Sequence, residues 1–181
     1  MDDALKHAMD HSFSAHLKNE DIYRIAYDTR NFEISLFWQR SNYFLVLNSA
    51  LAVGFFNLQK SLPLQHYSLL LAGFGLLASF LWYRVNLGSK FWQSRWEQRL
   101  AEIEKVLAPD VKFFSADREI IEEDVKESLH WDSGKGTFRK WIDKQVLKRP
   151  SVSYNMTLLS LLFIIGWVVL IFIHLLQVIY S

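Results

Sequence analysis

An all-α membrane protein, with three transmembrane helices and a helical cytoplasmic domain built from helix extensions, is predicted by three features of this 181-residue chain. Residues 43–58, 67–83 and 156–180 are long apolar stretches without Asp, Glu, Lys or Arg. Basic residues crowd one side of all three stretches. Between them, apolar side chains recur at helical spacing.

A helix rises about 1.5 Å per residue, so a hydrocarbon core about 30 Å thick needs roughly 20 residues. The third stretch meets this unaided. The first two need their flanks: Arg40 can snorkel from the first, and Trp82, Tyr83 and Arg84 form an interfacial collar on the second. A buried hairpin in a soluble helical protein is the rival reading, but it leaves the third stretch without a comparable partner. The short link at 59–66 contains Pro63, which breaks a helix, so an antiparallel hairpin is expected.

The link carries Lys60 alone as a fixed positive charge, whereas Arg24, Arg30 and Arg40 precede span one. Arg84, Lys90, Arg95 and Arg99 follow span two, and Lys135 through Arg149 precede span three. The positive-inside rule then places residues 1–42 and 84–155 in the cytoplasm, with the link and the C-terminus outside. The expected location is a bacterial inner membrane.

Residues 21–42 carry Ile22, Ile25, Ala26, Phe32 and Leu36 at helical spacing, with Asn19 as a candidate cap. After Gly88, residues 89–107 set Trp92, Trp96, Leu100, Ile103 and Leu107 on one face. The two segments are expected as stalks continuing spans one and two. An acidic helix is expected over 117–131, and a basic amphipathic helix over 137–147. The latter lies either on anionic lipid, through Arg139, Lys140, Trp141 and Lys144, or against the cytoplasmic core. The third span is expected as a separate bracing or lipid-facing helix.

A net charge of +1 argues against bulk nucleic-acid binding, and the absence of cysteine excludes disulfides and thiolate metal sites. No cleavable signal peptide is expected. Gly134-Lys135-Gly136-Thr137 lacks the upstream glycine and strand of a phosphate loop, and reads as a turn. His7, His11 and His16 lack a supporting carboxylate motif and read as a solvated tail, so neither cofactor nor metal is expected. No nucleophile, base or acid pair suggests an enzyme. The uncharged spans argue against a proton-coupled transporter.

Polar and small residues inside the spans are the candidate site. Asn48, Ser49 and Asn57 either line a path or bond between subunits, and Gly54, Gly75 and Ser79 supply small faces for close helix packing. His174 sits near the outer end of span three. Arg30, Glu33 and Arg40 are candidates for organising a cytoplasmic mouth.

Three segments carry a family resemblance: TRNFEI with LFWQRSNYF over 29–44, SKFWQ with Trp96-Glu97 after span two, and Pro150-Ser151-Val152-Ser153 before span three. Over residues 20–175 the chain resembles the RipA family of small octameric bacterial inner-membrane proteins. The resemblance implies a homo-octamer and brings no catalytic residues. By architecture alone the chain is also similar to small membrane effectors of antiphage systems. The leading expectation is a non-enzymatic membrane effector or pore-like assembly. The rival is an adaptor presenting residues 84–150 to a cytoplasmic protein.

Overall fold

The computed structural model describes residues 19–60, 65–130 and 136–180. Every element among them is an α-helix: α1 (Asn19–Gln59), α2 (Gln65–Leu107), α3 (Arg118–Ser128), α4 (Thr137–Leu147) and α5 (Val152–Tyr180). Pro63, the three N-terminal histidines and the Gly134-Lys135 turn lie outside the described residues.

Helices α1, α2 and α5 are each long and apolar enough to cross a membrane. With 41 and 43 residues, α1 and α2 run for about 60 Å, twice a hydrocarbon core. The expected stalks are thus unbroken continuations of the spans, and α2 passes straight through Gly88. Asn19 is the first described residue of α1. The acidic helix α3 is shorter than expected. Asp117, in an extended conformation, precedes it, and His130 takes φ 47°, a left-handed geometry that halts a helix. Helix α5 starts four residues before the apolar stretch. The Ser151 hydroxyl accepts the Tyr154 N–H at 3.3 Å, an N-cap just after Pro150.

The chain forms two compact units. One comprises residues up to Glu33 with Trp92–Leu147, the other Ile34–Phe91 with residues from Lys148 on. The second contains the apolar parts of the three long helices and is called the membrane unit below.

In the membrane unit α2 and α5 bury mostly small and polar residues, while the buried face of α1 mixes Ser41 and Asn48 with Phe37 and Phe55. On α2 the buried residues include Ser68, Ala72, Gly75, Ser79, Trp82, Asn86 and Ser89, in alternating steps of four and three, with Ala78 beside Ser79. On α5 they are Ser153, Ser160, Trp167 and His174, each seven apart. Helix α1 contributes Phe37, Ser41, Asn48 and Phe55. This is the heptad spacing of left-handed helix packing. The outward faces carry large apolar residues, among them Leu70, Phe74 and Leu77 on α2, and Leu162, Ile165 and Val169 on α5. Lipid tails are as apolar as leucine, so burying leucine gains little in a membrane. Small residues that allow close approach, and hydrogen bonds between helices, hold the bundle instead.

The third span is not separate. Trp167 is buried with Phe55 and Ala72, and its indole meets the Phe55 ring edge-to-face at 6.2 Å between centroids. Beneath it lies Gly75, where a Cβ would fall within the Trp167 ring.

In the other unit Ala26 of α1 and Leu100 of α2 are fully packed. The α2 buried face there runs through Gln93, Leu100 and Glu104. Trp92, expected on that face, is 43% exposed, because it lies on the outer flank of the stripe.

Candidate functional site

A polar seam runs through the membrane unit, with Asn48 at its centre. The Asn48 side-chain oxygen accepts the Trp167 Nε1–H at 2.9 Å and the Ser79 hydroxyl at 2.7 Å. That hydroxyl has one proton, shared with the Gly75 carbonyl at 2.8 Å. Asn48 Nδ2 donates to the Phe44 carbonyl at 2.9 Å. One amide therefore ties α1 to both other helices.

Asn48, Gly75 and Ser79 make these contacts inside one chain, and a Cβ at Gly54 would come within 3.0 Å of a Leu71 methyl of the same chain. Replacing Asn48 with leucine leaves the Trp167 N–H buried without an acceptor, while Ser79 keeps Gly75. The expected loss is ~2–3 kcal/mol. Thermal unfolding of the detergent-solubilised protein, followed by tryptophan fluorescence, measures it, and an unchanged midpoint would remove Asn48 from the seam.

At the link end a second tie joins the three helices. Gln59 Nε2 donates to the Ser68 hydroxyl at 3.2 Å and lies 2.8 Å from His174 Nδ1. An amide nitrogen only donates, so Nδ1 accepts and the imidazole carries its proton on Nε2. Gln65 Nε2 donates to Gln59 Oε1 at 3.4 Å. His174 is buried in the bundle.

Toward the basic end the seam is incomplete. Ser41 Oγ, Trp82 Nε1, Asn86 Oδ1 and Ser89 Oγ are buried without a hydrogen-bond partner. Asn86 Nδ2 does donate to the Met156 carbonyl at 3.1 Å. Trp82 is held by aromatic packing instead, stacked on Phe44 and tilted against Phe163.

The other two polar candidates of α1 lie off its buried face. Ser49 and Asn57 are exposed, and helical spacing sets them in one stripe with Gln39, Asn42, Val46, Ala50 and Val53. The stripe faces away from Asn48 and Phe55. The Ser49 hydroxyl donates to its own Leu45 carbonyl at 2.8 Å.

Residues 20–176 match the family model described as the octameric membrane protein family (8xMP). The chain belongs to this family. The match carries the octameric description that the sequence motifs imply. No curated protein and no solved structure matches the chain. The protein is thus a membrane protein of an octameric family.

The expected mouth residues of this 8xMP chain fall in different units, Arg30 and Glu33 in the unit that includes Trp92–Leu147 and Arg40 in the membrane unit. Arg30 pairs with Glu97 at 3.5 Å and sets its guanidinium 5.5 Å from the Phe114 ring centre. Glu33 is half-buried and Arg40 is exposed.

Glu104 is a site residue that sequence reasoning missed. It is 2% exposed and accepts three backbone N–H groups, from Phe113 at Oε1 and from Phe114 and Ser115 at Oε2, each at 2.8 Å. Lys112, at φ 50°, turns the chain so that these N–H groups converge. Burial pushes the carboxyl upward in pKa, but the bonds from Phe114, Ser115 and Phe113 outweigh it and hold the group below its ordinary value. Tyr23 lines the adjoining cleft of about 350 Å³, with Glu20, Leu107, Ala108 and Val111. Burial, then the Glu104 charge, pushes its phenol upward.

Proposed function

We propose that the chain acts without catalysis, as a homo-octameric assembly of the bacterial inner membrane, with the basic end of its bundle in the cytoplasm. The outward stripe of α1 carries this reading. Its Ser49, Ala50 and Asn57 contrast with the bulky apolar outward faces of α2 and α5. Polar side chains facing lipid are costly, whereas the same groups facing another subunit or a hydrated path are satisfied. In the octamer, α1 therefore points to neighbouring copies and the axis, and α2 and α5 point to lipid. A pore-like membrane effector follows. Its setting in antiphage defence rests on architectural likeness alone.

The double substitution Ser49→Leu with Asn57→Leu tests this. Native mass spectrometry reads subunit number, and release of an ion-sensitive dye from proteoliposomes reads conduction. The expected result is loss of the octamer or at least a tenfold fall in release, on the order of the loss of one or two interhelical hydrogen bonds per copy. An intact octamer with unchanged release would move α1 away from the axis. Exposed Val106 and Phe113 favour a second reading, the adaptor, since they leave apolar surface outside the spans for a soluble partner. An octamer that leaves vesicles sealed yet binds such a partner supports it.

A further inference from the structure

Helix α4 holds its apolar face outward. Its apolar side chains are Phe138, Trp141, Ile142 and Val146, and all four are exposed. Phe138 is 74% and Trp141 58% exposed, with their rings stacked at 6.2 Å. The one buried residue of the helix is Asp143. A helix packing on a soluble core buries its apolar face and leaves its acid in water. This one packs on its acidic edge and holds its aromatic face outward.

A basic rim surrounds that face. By helical spacing Lys140 and Lys144 line one border and Arg139 the other, Lys148 follows one residue past the helix, and Arg139, Lys140, Lys144 and Lys148 are all exposed. The tether is short as well. Residues 148–151 alone separate Leu147 from the start of α5 at Val152, so five Cα steps hold the end of α4 within about 18 Å of a membrane-spanning helix.

We propose that α4 is an in-plane membrane anchor. Phe138, Trp141, Ile142 and Val146 sink into the headgroup boundary of an anionic bilayer, and Arg139, Lys140, Lys144 and Lys148 bind lipid phosphates. Aromatic rings suit that depth, and basic side chains at a bilayer border keep their charges at the phosphates while their stems cover apolar surface. The anchor does not depend on how α1 meets other subunits.

The native chain has no cysteine, so Phe138→Cys and Val146→Cys each give a single attachment point for an environment-sensitive fluorophore in the full-length protein. Proteoliposomes of phosphatidylglycerol mixed with phosphatidylcholine are compared with phosphatidylcholine alone. Spin-labelled lipid and aqueous iodide serve as quenchers. The expected result is quenching by lipid and protection from iodide at both positions in the anionic vesicles. Adding Lys140→Glu and Lys144→Glu should weaken the lipid-bound state on the order of tenfold.

Iodide quenching without lipid quenching would overturn the proposal in favour of a solvated helix. Protection from both quenchers would overturn it in favour of a protein contact, from a second copy or an acidic partner. Equal lipid quenching in the two vesicle types would overturn the role of anionic headgroups.

Discussion

Gly75→Ala is expected to destabilise the membrane unit more than alanine at any other described glycine. The new methyl would fall within the Trp167 ring. That indole is fixed on its other sides by the Nε1–H bond to Asn48 and by the Phe55 ring. It can move only by breaking both contacts. Overpacking costs about 1–3 kcal/mol, and a stranded indole N–H adds about 1–3 kcal/mol. A midpoint shift of the solubilised protein, read by tryptophan fluorescence, should therefore exceed that of Asn48→Leu. Gly73→Ala is the matched control. Nothing lies within 4 Å of its Cβ position, and alanine is the better helix former, so no loss is expected. Adding Trp167→Leu to Gly75→Ala should recover part of the loss, because it clears the space the methyl needs. Equal effects of the two glycine substitutions would mean that Trp167 does not sit on Gly75.

The same pair of residues shows what was legible in the sequence. The spans were legible because charge-free runs of this length have few other homes. The bounds of α4 were legible because its apolar spacing ends cleanly at Leu147. The seam was not, although its signal is present. Ser153, Ser160, Trp167 and His174 recur every seven residues, but within an apolar run such residues read as scattered exceptions. Amphipathic reasoning looks for the apolar face as the buried one, and in lipid that preference is reversed. Asn48 and Ser49 are sequence neighbours with similar polarity, yet about 100° of helical rotation sends one into the bundle and the other to its surface. Only the position of the other two helices distinguishes them. The stripe of residues 89–107 departs at one position for a related reason: Trp92 is one residue from Gln93, and the polar residue took the buried position, while Trp96, Ile103 and Leu107 are half-buried and Leu100 is buried.

Glu104→Gln is expected to release the segment from Ala108 to Asp117. In the native chain, two carboxylate oxygens receive three N–H groups. Glutamine keeps one oxygen and turns an NH₂ toward backbone donors, so at least one buried N–H loses its acceptor. Charge-assisted bonds are about twice as strong as neutral ones, and the combined loss is ~2–4 kcal/mol. Hydrogen exchange at the Phe113, Phe114 and Ser115 amides reads it directly. All three should be protected in the native protein and exposed in the variant.

The pH dependence has a definite sign. The folded carboxyl is held below its ordinary value, first against the upward push of burial, by the bonds from Phe114, Ser115 and Phe113. Its contribution is therefore complete above the ordinary glutamate pKa of about 4.3 and is lost as pH falls through the lower folded value. Native protection of the three amides should hold at pH 5 and collapse in stronger acid, after correction for intrinsic exchange. The variant should show no such step. Rapid exchange of these amides in the native protein at neutral pH would mean that Glu104 does not hold this loop.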